Sequence, residues 1–412
     1  MDALTTPSNW QRVRLGTYKY RRGSFPQPYG NPQWYSDNGM PFVQVYDVGE
    51  NFKLNQKTKQ KISKIAQPMS VFVPKNSVII TLQGTIGRVA LTQYDCYCDR
   101  TILIFDNNTL NDVNKYFFVL SLFTKFEEEK RKADGSIIKT ITKQTLKDFE
   151  IPLPPLNEQI AIANVLSDLD HYLYTLDALI LKKKSVKKAL SFELLSQRKR
   201  LKGFNQAWQR VRLGDMTTSF TKQTGFDYSA SIKPTLIKEQ LPHYIPFIQN
   251  KDFSGHYINY KTDYFIPNEI AIRFPQILLN EKCLLISIVG SIGNVAVFNH
   301  SQDAFTGCAI AVLKFKEKKS LDFVMHFLMS ASGQKSLLNI VKASSHKSII
   351  LADLRDLLIP LPPLNEQIAI ANILSDLDHE IISLKNKKRQ FDNIKKALNH
   401  DLMSAKIRVL KN

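Results

Sequence analysis

The amino-acid sequence predicts an α+β protein in which two similar globular domains alternate with two long helices. Three observations lead to this fold class. One long stretch of sequence occurs twice, short β-branched runs are mixed with segments of helical spacing, and leucine and isoleucine recur at heptad spacing after each copy of the repeat. A chain of 412 residues has the length of two or three domains.

The internal repeat is the strongest of these observations. Residues 151–171 read IPLPPLNEQIAIANVLSDLDH and recur at 359–379 with a single change, Val165 to Ile373. Residues 10–16, WQRVRLG, recur unchanged at 208–214. Each half therefore has a Trp-led opening, a variable region, and a Pro-rich hinge that leads into a helix, which predicts a pseudo-two-fold arrangement. We predict globular domains over residues 1–152 and 203–360 and helical segments over residues 153–202 and 361–412.

The variable regions predict mixed α and β structure. The run TILIF at 101–105 is short, β-branched and bounded by polar residues, as is typical of a strand. Segments 113–130 and 320–341 carry apolar residues at helical spacing. These patterns favour an α+β fold for each domain.

The segment that follows each hinge predicts one long helix. The prolines end the preceding strand, Asn157 can cap the helix, and Glu158 lies favourably in its first turn. Apolar residues then alternate steps of four and three over 162–180 and 370–384, and the second segment resumes the pattern at Phe391, Ile394 and Leu398. Heptad spacing indicates a coiled coil. The alternative is an amphipathic helix on a domain core, but a helix of about 45 residues, ~65 Å long, exceeds one small domain.

The charge pattern of the two helices favours antiparallel packing. Residues 156–178 contain four acids and no Lys or Arg, whereas residues 182–202 contain nine basic residues and one acid. The second helical segment has the same polarity. Antiparallel packing places each acidic start beside the basic end of the other helix, while parallel packing sets like charges together.

Composition limits the classes of protein that the chain can represent. With 43% hydrophobic residues, the chain is not a disordered basic protein. The net charge of +19 favours a polyanionic partner, although charge alone does not separate DNA from RNA or an acidic protein. The first residues lack the apolar core of a signal peptide, and no apolar stretch reaches the ~20 residues of a membrane helix, so we expect a cytoplasmic protein. The four cysteines form no metal-ligand pattern, and we expect no metal site.

The repeated motifs resemble those of the specificity subunit of type I DNA restriction-modification systems. The resemblance rests on the Trp-x4-Leu-Gly openings, the Gly-[Thr/Ser]-Ile-Gly elements at 84–87 and 290–293, and the Ile-Pro-Leu-Pro-Pro-Leu-x-Glu-Gln repeats, and it covers essentially the whole chain. It implies two target-recognition domains, each of which binds one half of a bipartite, asymmetric site in double-stranded DNA. It also implies that the two helices form an antiparallel coiled coil that sets the spacing of the half-sites.

The same resemblance implies partners that carry the chemistry. These are two modification subunits, which methylate adenine with S-adenosylmethionine, and restriction subunits, which use ATP with Mg²⁺ to translocate and cut DNA. It implies no catalytic site and no bound cofactor on this chain.

Two alternatives compete with this interpretation. One is a fused methyltransferase or nuclease; residues 31–34, NPQW, differ by one residue from the Asn-Pro-Pro-aromatic motif of adenine methyltransferases. Only 30 residues precede this stretch, however, and no Gly-x4-Gly-Lys-[Ser/Thr] phosphate-binding motif occurs in the chain. The other alternative is a coiled-coil scaffold or a stand-alone nucleic-acid-binding protein that has no restriction partner.

Candidate DNA contacts are cations and amides in the regions that differ between the halves. Lys and Arg contact phosphates, Gln and Asn can read adenine, and Arg can read guanine. For each candidate, a solvated side chain without a ligand is the alternative. The candidates in the first domain are Arg21, Arg22, Lys57, Lys59, Gln83, Arg88 and Lys139. The candidates in the second domain are Lys251, Arg273, Asn294, His346 and Lys347.

The near-identical repeats predict a surface that is used twice. Because the same residues occur in both halves, we expect them to bind two copies of one partner, the modification subunit. The predicted docking residues are Pro154, Pro155, Glu158, Gln159 and Ile162 in the first repeat and Pro362, Pro363, Glu366, Gln367 and Ile370 in the second.

Overall fold

A computed structural model describes residues 9–84, 86–132, 143–307, 309–342 and 347–410. The chain divides into two compact units. Unit 1 comprises Met1–Ala178 and Asn386–Asn412, and unit 2 comprises Leu179–Lys385. Both boundaries fall inside long helices, so each unit contains part of both helices.

The first half of the chain contains short strands followed by helices. Among the described residues, the strands are β1 (Gln11–Arg14), β2 (Tyr20–Arg22), β3 (Tyr35–Val43), β4 (Gln60–Ile62), β5 (Val71–Val73), β6 (Val78–Thr81), β7 (Val89–Leu91), β8 (Cys96–Cys98), β9 (Ile102–Phe105) and β10 (Glu150–Leu153). The helices are α1 (Lys115–Lys132), α2 (Lys143–Asp148) and α3 (Leu156–Leu195).

In the described part of unit 1, the strands form two four-stranded sheets and a two-stranded sheet. One four-stranded sheet has the antiparallel order β2-β9-β6-β7. The other has the order β4-β3-β8-β5, in which β3 and β8 run parallel. Because all residues of β6 and β9 are buried, and all but Thr81 are apolar, both faces of this sheet are covered. Helix α1 lies against one face through Phe117 and Phe118, which are fully buried.

The second half of the chain repeats this plan with more short elements. Its strands are β11 (Gln209–Arg212), β12 (Thr217–Lys222), β13 (Tyr244–Ile248), β14 (Phe253–Ser254), β15 (Tyr257–Ile258), β16 (Phe265–Pro267), β17 (Leu278–Leu279), β18 (Cys283–Ser287), β19 (Val295–Phe298), β20 (Ala304–Thr306), β21 (Ile310–Phe315), β22 (Val341–Lys342), β23 (Ser348–Ile349) and β24 (Leu358–Leu361). Its helices are α4 (Gly225–Asp227), α5 (Asn268–Ala271), α6 (Leu321–Met329), α7 (Ala331–Asn339), α8 (Leu351–Arg355) and α9 (Leu364–Met403).

The two four-stranded sheets of unit 2 have the same strand order as those of unit 1. The antiparallel sheet has the order β12-β21-β18-β19, and the mixed sheet has the order β16-β13-β20-β17. Strands β13 and β20 run parallel, as β3 and β8 do in unit 1. The predicted α+β fold with an internal repeat is therefore confirmed, and the repeat extends into variable regions whose sequences have diverged.

Helices α3 and α9 run antiparallel where they meet in unit 1. Asp170 forms an ion pair with Lys395, and Asp177 forms one with Lys388 at 2.8 Å. Between these pairs, the ring centroids of Tyr172 and Phe391 lie 4.7 Å apart. Because the partner's number falls as the α3 number rises, the two helices run in opposite directions.

The same direction is found in unit 2 with the charges exchanged. Here α3 supplies the cations: Lys183 pairs with Glu380 at 2.7 Å, and Lys187 pairs with Asp378 at 2.5 Å. Each unit therefore shows the antiparallel direction that the charge pattern predicts. Supercoiling of the helices stays a prediction.

Ile394, one of the apolar residues that heptad spacing predicts on the contact face of α9, is not buried there. Ile394 is half exposed, whereas its neighbour Lys395 reaches Asp170 and also lies over the ring of Phe52, 5.3 Å from its centroid. In unit 1, α9 therefore contacts α3 through Lys388, Phe391 and Lys395. Two of these three residues form ion pairs, and a search for apolar residues at heptad spacing does not identify them.

Among the described residues, no helix combines the length and apolar character needed to cross a membrane.

A histidine is buried where α6 contacts α9 in unit 2. His326 is 3% exposed, and its Nε2 lies 3.0 Å from Ser375 Oγ. Burial, together with the positive charges of Lys187 and His256, lowers the pKa of His326 to about 3, although Asp378 acts in the opposite direction. His326 is therefore neutral at pH 7.

This burial predicts an acid-sensitive unit 2. Between about pH 6.5 and pH 3, unfolding lets His326 bind a proton that the folded state does not bind, so stability falls as the pH is lowered through this range. From pH 7 to pH 5 the loss should be about 2 kcal/mol. Hydrogen exchange of the α6 amides, corrected for intrinsic rates, measures it.

His326→Gln should remove this part of the pH dependence, while His171→Gln, on an exposed surface of α3, should leave it unchanged. The same pH dependence in wild type and His326→Gln would contradict the assignment.

Candidate DNA interface and duplicated junction

The opening strand of unit 1 is joined to the hinge strand by a buried junction. Strand β1 pairs antiparallel with β10, which places the WQRVRLG stretch beside the Ile-Pro-Leu hinge. Trp10 Nε1 donates a hydrogen bond to Glu158 Oε2 at 3.1 Å. Arg408 donates to both oxygens of the same carboxylate, at 2.5 and 2.9 Å. One buried carboxylate thus joins the opening strand, α3 and the segment after α9.

Unit 2 contains the same junction, built from equivalent residues. Strand β11 pairs with β24 in the same register. Trp208 Nε1 donates to Glu366 Oε2 at 3.2 Å, and Arg200 donates to the two carboxylate oxygens at 3.0 and 2.5 Å. Arg200 and Arg408 are separated by 208 positions, the offset of the repeat, so the sequence already contained a signal for them.

A glutamine follows each junction carboxylate and stabilises the turn into the helix. Gln159 Nε2 donates to the carbonyl of Pro154 at 2.8 Å, and Gln367 Nε2 donates to that of Pro362 at 2.7 Å. In unit 1, Gln159 Oε1 also accepts from the backbone N–H of Asn114 at 3.0 Å. Each glutamine therefore satisfies a proline carbonyl that lies just before the first turn of its helix.

Most of the predicted docking residues are therefore used inside their own unit. The buried ones are Pro154, Glu158, Gln159, Ile162, Pro362, Glu366, Gln367 and Ile370. Pro155 is exposed and Pro363 is half-buried. Partner binding at the repeats stays a prediction, and exposed neighbours such as Leu156 and Ile160, both more than 40% exposed, are the side chains that a partner can reach.

Four of the six cations predicted to contact DNA in the first domain lie on two parts of the unit 1 surface. All four are exposed: Arg21 and Arg22 on β2, and Lys57 and Lys59 in the segment before β4. Arg21 Nη2 donates to the carbonyl of Phe72 at 3.1 Å. Lys59 Nζ lies 5.1 Å from the ring centroid of Tyr46.

Gln83 and Arg88 flank the glycine turn between β6 and β7. Gln83 is exposed, whereas Arg88 is half-buried. Arg88 donates to the carbonyl of Val48 at 3.1 Å and pairs with Glu50 at 2.8 Å. Because the Glu50 carboxylate is well exposed, this ion pair contributes little to stability and leaves Arg88 able to exchange partners.

In unit 2, three of the predicted residues lie around the equivalent loop between β18 and β19. Lys251 is exposed and pairs with Asp263. Asn294 is half-buried, and its carbonyl accepts from the backbone N–H of Ser287 at 2.8 Å. Lys347 is exposed and precedes Ser348, which forms a β-bridge with Val289 of this loop. The exposed Arg273 follows α5, and the predicted residues Lys139 and His346 lie outside the described residues.

Among the described residues, no group of three or more His, Cys, Asp or Glu side chains is arranged to hold a metal ion. A cavity beside the unit 1 junction has a volume of about 540 Å³ and is lined by residues that include Trp10, Arg12, Lys125 and His400.

The fold and the duplicated junction define a protein with two homologous domains, each fixed to the same pair of antiparallel helices. The family model described as type I restriction modification DNA specificity domain matches residues 24–188 and 205–391. The chain therefore belongs to the family of type I restriction-modification specificity subunits, with two target-recognition domains.

Similar proteins span nearly the full length of the chain. The type I restriction enzyme MjaVIII specificity subunit of Methanocaldococcus jannaschii is 25% identical over 99% of this chain and 95% of its own length. Among solved structures, the type I restriction-modification S subunit from M. genitalium has a TM-score of 0.63 at 18% identity, with 97% of each chain covered. A chain from a structure of the type I R-M system has a TM-score of 0.56 at 20% identity. At these identities the two structures support the fold.

The junction predicts a large and position-specific loss of stability. Glu158→Ala should leave the Trp10 N–H without its acceptor and the Arg408 guanidinium without its counter-ion, at a cost of about 3 kcal/mol. Urea unfolding, followed by tryptophan fluorescence, measures the change.

Glu150→Ala is the matched control, because Glu150 pairs with Arg14 at 3.1 Å on the exposed face of the same strand pair. Its loss should stay below about 1 kcal/mol. Equal losses of unfolding free energy for the two variants would show that the buried junction contributes no more to stability than an exposed ion pair.

Proposed function

We propose that this chain selects the DNA sequence on which a type I restriction-modification complex acts. Each target-recognition domain binds one half of a bipartite, asymmetric site, and α3 and α9 form the spacer, as a coiled coil, that sets the distance between half-sites. The predicted boundaries after residues 152, 202 and 360 separate the target-recognition domains from the helical spacer segments. The complex works in the cytoplasm on double-stranded DNA.

The observation that carries this proposal is the duplicated junction. The Trp-Glu-Arg cluster is the same in both units, and the four-stranded sheets of the two units have the same strand order. The exposed residues of these domains differ between the units. Two domains that are attached to the helices in the same way, but that each expose a different surface, suit an asymmetric DNA site. An exposed cation in these surfaces supplies phosphate affinity, and the side chains that differ supply base selection.

The chemistry of the complex belongs to partner subunits in this proposal. The relatives are named specificity subunits, and one structural neighbour is titled for complex assembly of a type I system. Two modification subunits would bring S-adenosylmethionine and methylate adenine, and restriction subunits would use ATP and Mg²⁺. This chain would act without a catalytic site of its own, and it would dock the modification subunits through exposed residues of the two repeats.

A comparison of adenine methylation with and without this gene tests the proposal. In the native host, we expect one bipartite motif of methylated adenines, with two unlike half-sites and an unread gap, and we expect it to disappear when the gene alone is deleted. Genome-wide methylation mapping measures both results. A motif that persists in the deletion strain would favour the alternative, a scaffold or DNA-binding protein without a restriction partner.

The spacer role predicts a geometric change without a change of base preference. Four residues inserted after Ala178 in α3 and after Lys385 in α9 lie at the boundary between the two units and lengthen each helix by ~6 Å. The gap in the methylated motif should then change in length, while both half-site sequences stay as in wild type. Substitution of Ala178→Gly alone is the control. Altered half-site bases with an unchanged gap would contradict the spacer role.

A further inference from the structure

A short capped turn follows the parallel strand of the mixed sheet in unit 1. The turn spans Val45–Asp47, and the backbone N–H of Gln44 donates to Asp47 Oδ2 at 2.9 Å. The backbone carbonyl of Asp47 accepts a hydrogen bond from the backbone N–H of Asn55 at 2.9 Å. The side-chain Oδ1 of Asp47 accepts one from the backbone N–H of Lys59 at 3.0 Å. The Asp47 side chain is buried, so this carboxylate fixes the backbone of the turn.

Unit 2 has the same turn at the equivalent place. It spans Asn250–Asp252, with the N–H of Gln249 donating to Asp252 Oδ2 at 2.8 Å and the Asp252 carbonyl accepting from Asn259 at 2.8 Å. The preceding strands β3 and β13 occupy the same position in sheets of the same order. The two turns therefore align residue by residue, and Tyr46 in unit 1 corresponds to Lys251 in unit 2.

A glycine turn lies against the capped turn in both units. Gly84 and Gly290 have φ values of +71° and +76°, which favour glycine. A Cβ atom at Gly84 would lie 3.5 Å from Val45 Cγ2, and one at Gly290 would lie 3.7 Å from Asn250 Nδ2. Asn250 also donates to the carbonyl of Val289 at 2.7 Å. We call this pair of turns the paired-turn corner: residues 44–47 with 83, 84 and 86–88 in unit 1, and 249–252 with 289–294 in unit 2.

The backbone of the corner is retained, while its exposed side chains differ in chemistry. Tyr46 is 43% exposed and carries a ring and a hydroxyl, whereas Lys251 is exposed and carries a charge. The Lys251 side chain lies near an aromatic ring of its own unit, with Nζ 5.6 Å from the centroid of the Tyr264 ring. A fixed backbone that presents different side chains is the arrangement needed to read two different sequences with one fold.

Cations surround the corner in each unit. In unit 1, Lys59 lies over the Tyr46 ring and Arg88 donates to the carbonyl of Val48, immediately after the turn. In unit 2, Lys347 is exposed beside the strand residue that bridges to Val289. Lysine and arginine at the edge of a reading surface supply the phosphate contacts that hold it in a groove.

We propose that Tyr46 and Lys251 are equivalent specificity-determining residues, and that each contacts bases of one half-site. This inference rests on the proposed function and goes beyond it by assigning the base-reading surface of both domains to the paired-turn corner. Lysine can donate to O6 and N7 of guanine in the major groove, and a tyrosine hydroxyl or ring edge recognises a different base pattern. Neutral variation of an exposed position, the alternative explanation, predicts no effect on base preference.

Two substitutions that exchange the side chains test the inference. Tyr46→Lys and Lys251→Tyr are made separately in the full chain, co-expressed with its modification subunits in a host lacking other adenine methylation. Genome-wide mapping of methylated adenines then gives the base preference at each position. Each variant should change or relax the preference in one half-site, a different one for each variant, with roughly tenfold lower methylation at native sites. The other half-site and the gap should be unchanged.

Matched controls carry the same chemical changes away from the corner. Tyr174→Lys alters a tyrosine that is 58% exposed on α3, and Lys319→Tyr alters an exposed lysine before α6. Both should retain the wild-type motif.

The outcomes separate this inference from the proposed function. A wild-type chain that directs no bipartite motif would contradict the proposed function itself. A wild-type motif that Tyr46→Lys and Lys251→Tyr both leave unchanged would overturn only the inference. Methylation that falls equally at every site, with both base preferences intact, would indicate a structural role for these residues and would also overturn it.

Discussion

The architecture depends on one buried carboxylate in each unit, Glu158 and Glu366. Each accepts hydrogen bonds from the tryptophan that opens its domain and from an arginine beyond the end of the opposite helix. A buried carboxylate is stable only when its oxygens are satisfied, so all three segments have to meet at one point. This requirement explains why the glutamate and the arginine recur after 208 positions and the tryptophan after 198, while the domains between them have diverged.

Part of the positive charge belongs to the helices and not to a binding surface. Lys187 and Lys395 neutralise Asp378 and Asp170, and Arg200 and Arg408 neutralise the junction carboxylates. Each pair joins one cation to one anion, so these pairs leave the net charge at +19 but reduce the number of the 56 Lys and Arg side chains that are available to a polyanion. What remains exposed in unit 1, such as Arg21 and Lys57, is a more specific indication of a phosphate-binding surface than the total.

The repeat, the α+β class and the antiparallel helix direction could be predicted because they depend on sequence patterns that are local or periodic. The junction could not, because Trp10 meets Glu158 and Arg408 only after folding, and no local pattern encodes that contact. The same limit applies to the seam, where Lys395 and not Ile394 faces α3. Among the candidate DNA contacts, sequence comparison selected Arg88 and Lys251 but passed over Tyr46, because residue equivalence appeared only when the two capped turns were aligned in space.

Identity between repeats has a physical origin that differs from a shared partner. The identical residues Glu158, Gln159 and Ile162 are buried, and each has a contact within its unit that explains its retention. The partner binding that we propose would be a separate requirement, and it would act on side chains that solvent reaches. Leu156 and Ile160 are large, apolar and more than 40% exposed on a helix whose buried positions are already filled, so a partner could contact them without displacing the core. In the proposed function, two copies of one partner would therefore contact the solvent-accessible apolar residues of the repeats more than their buried, identical core.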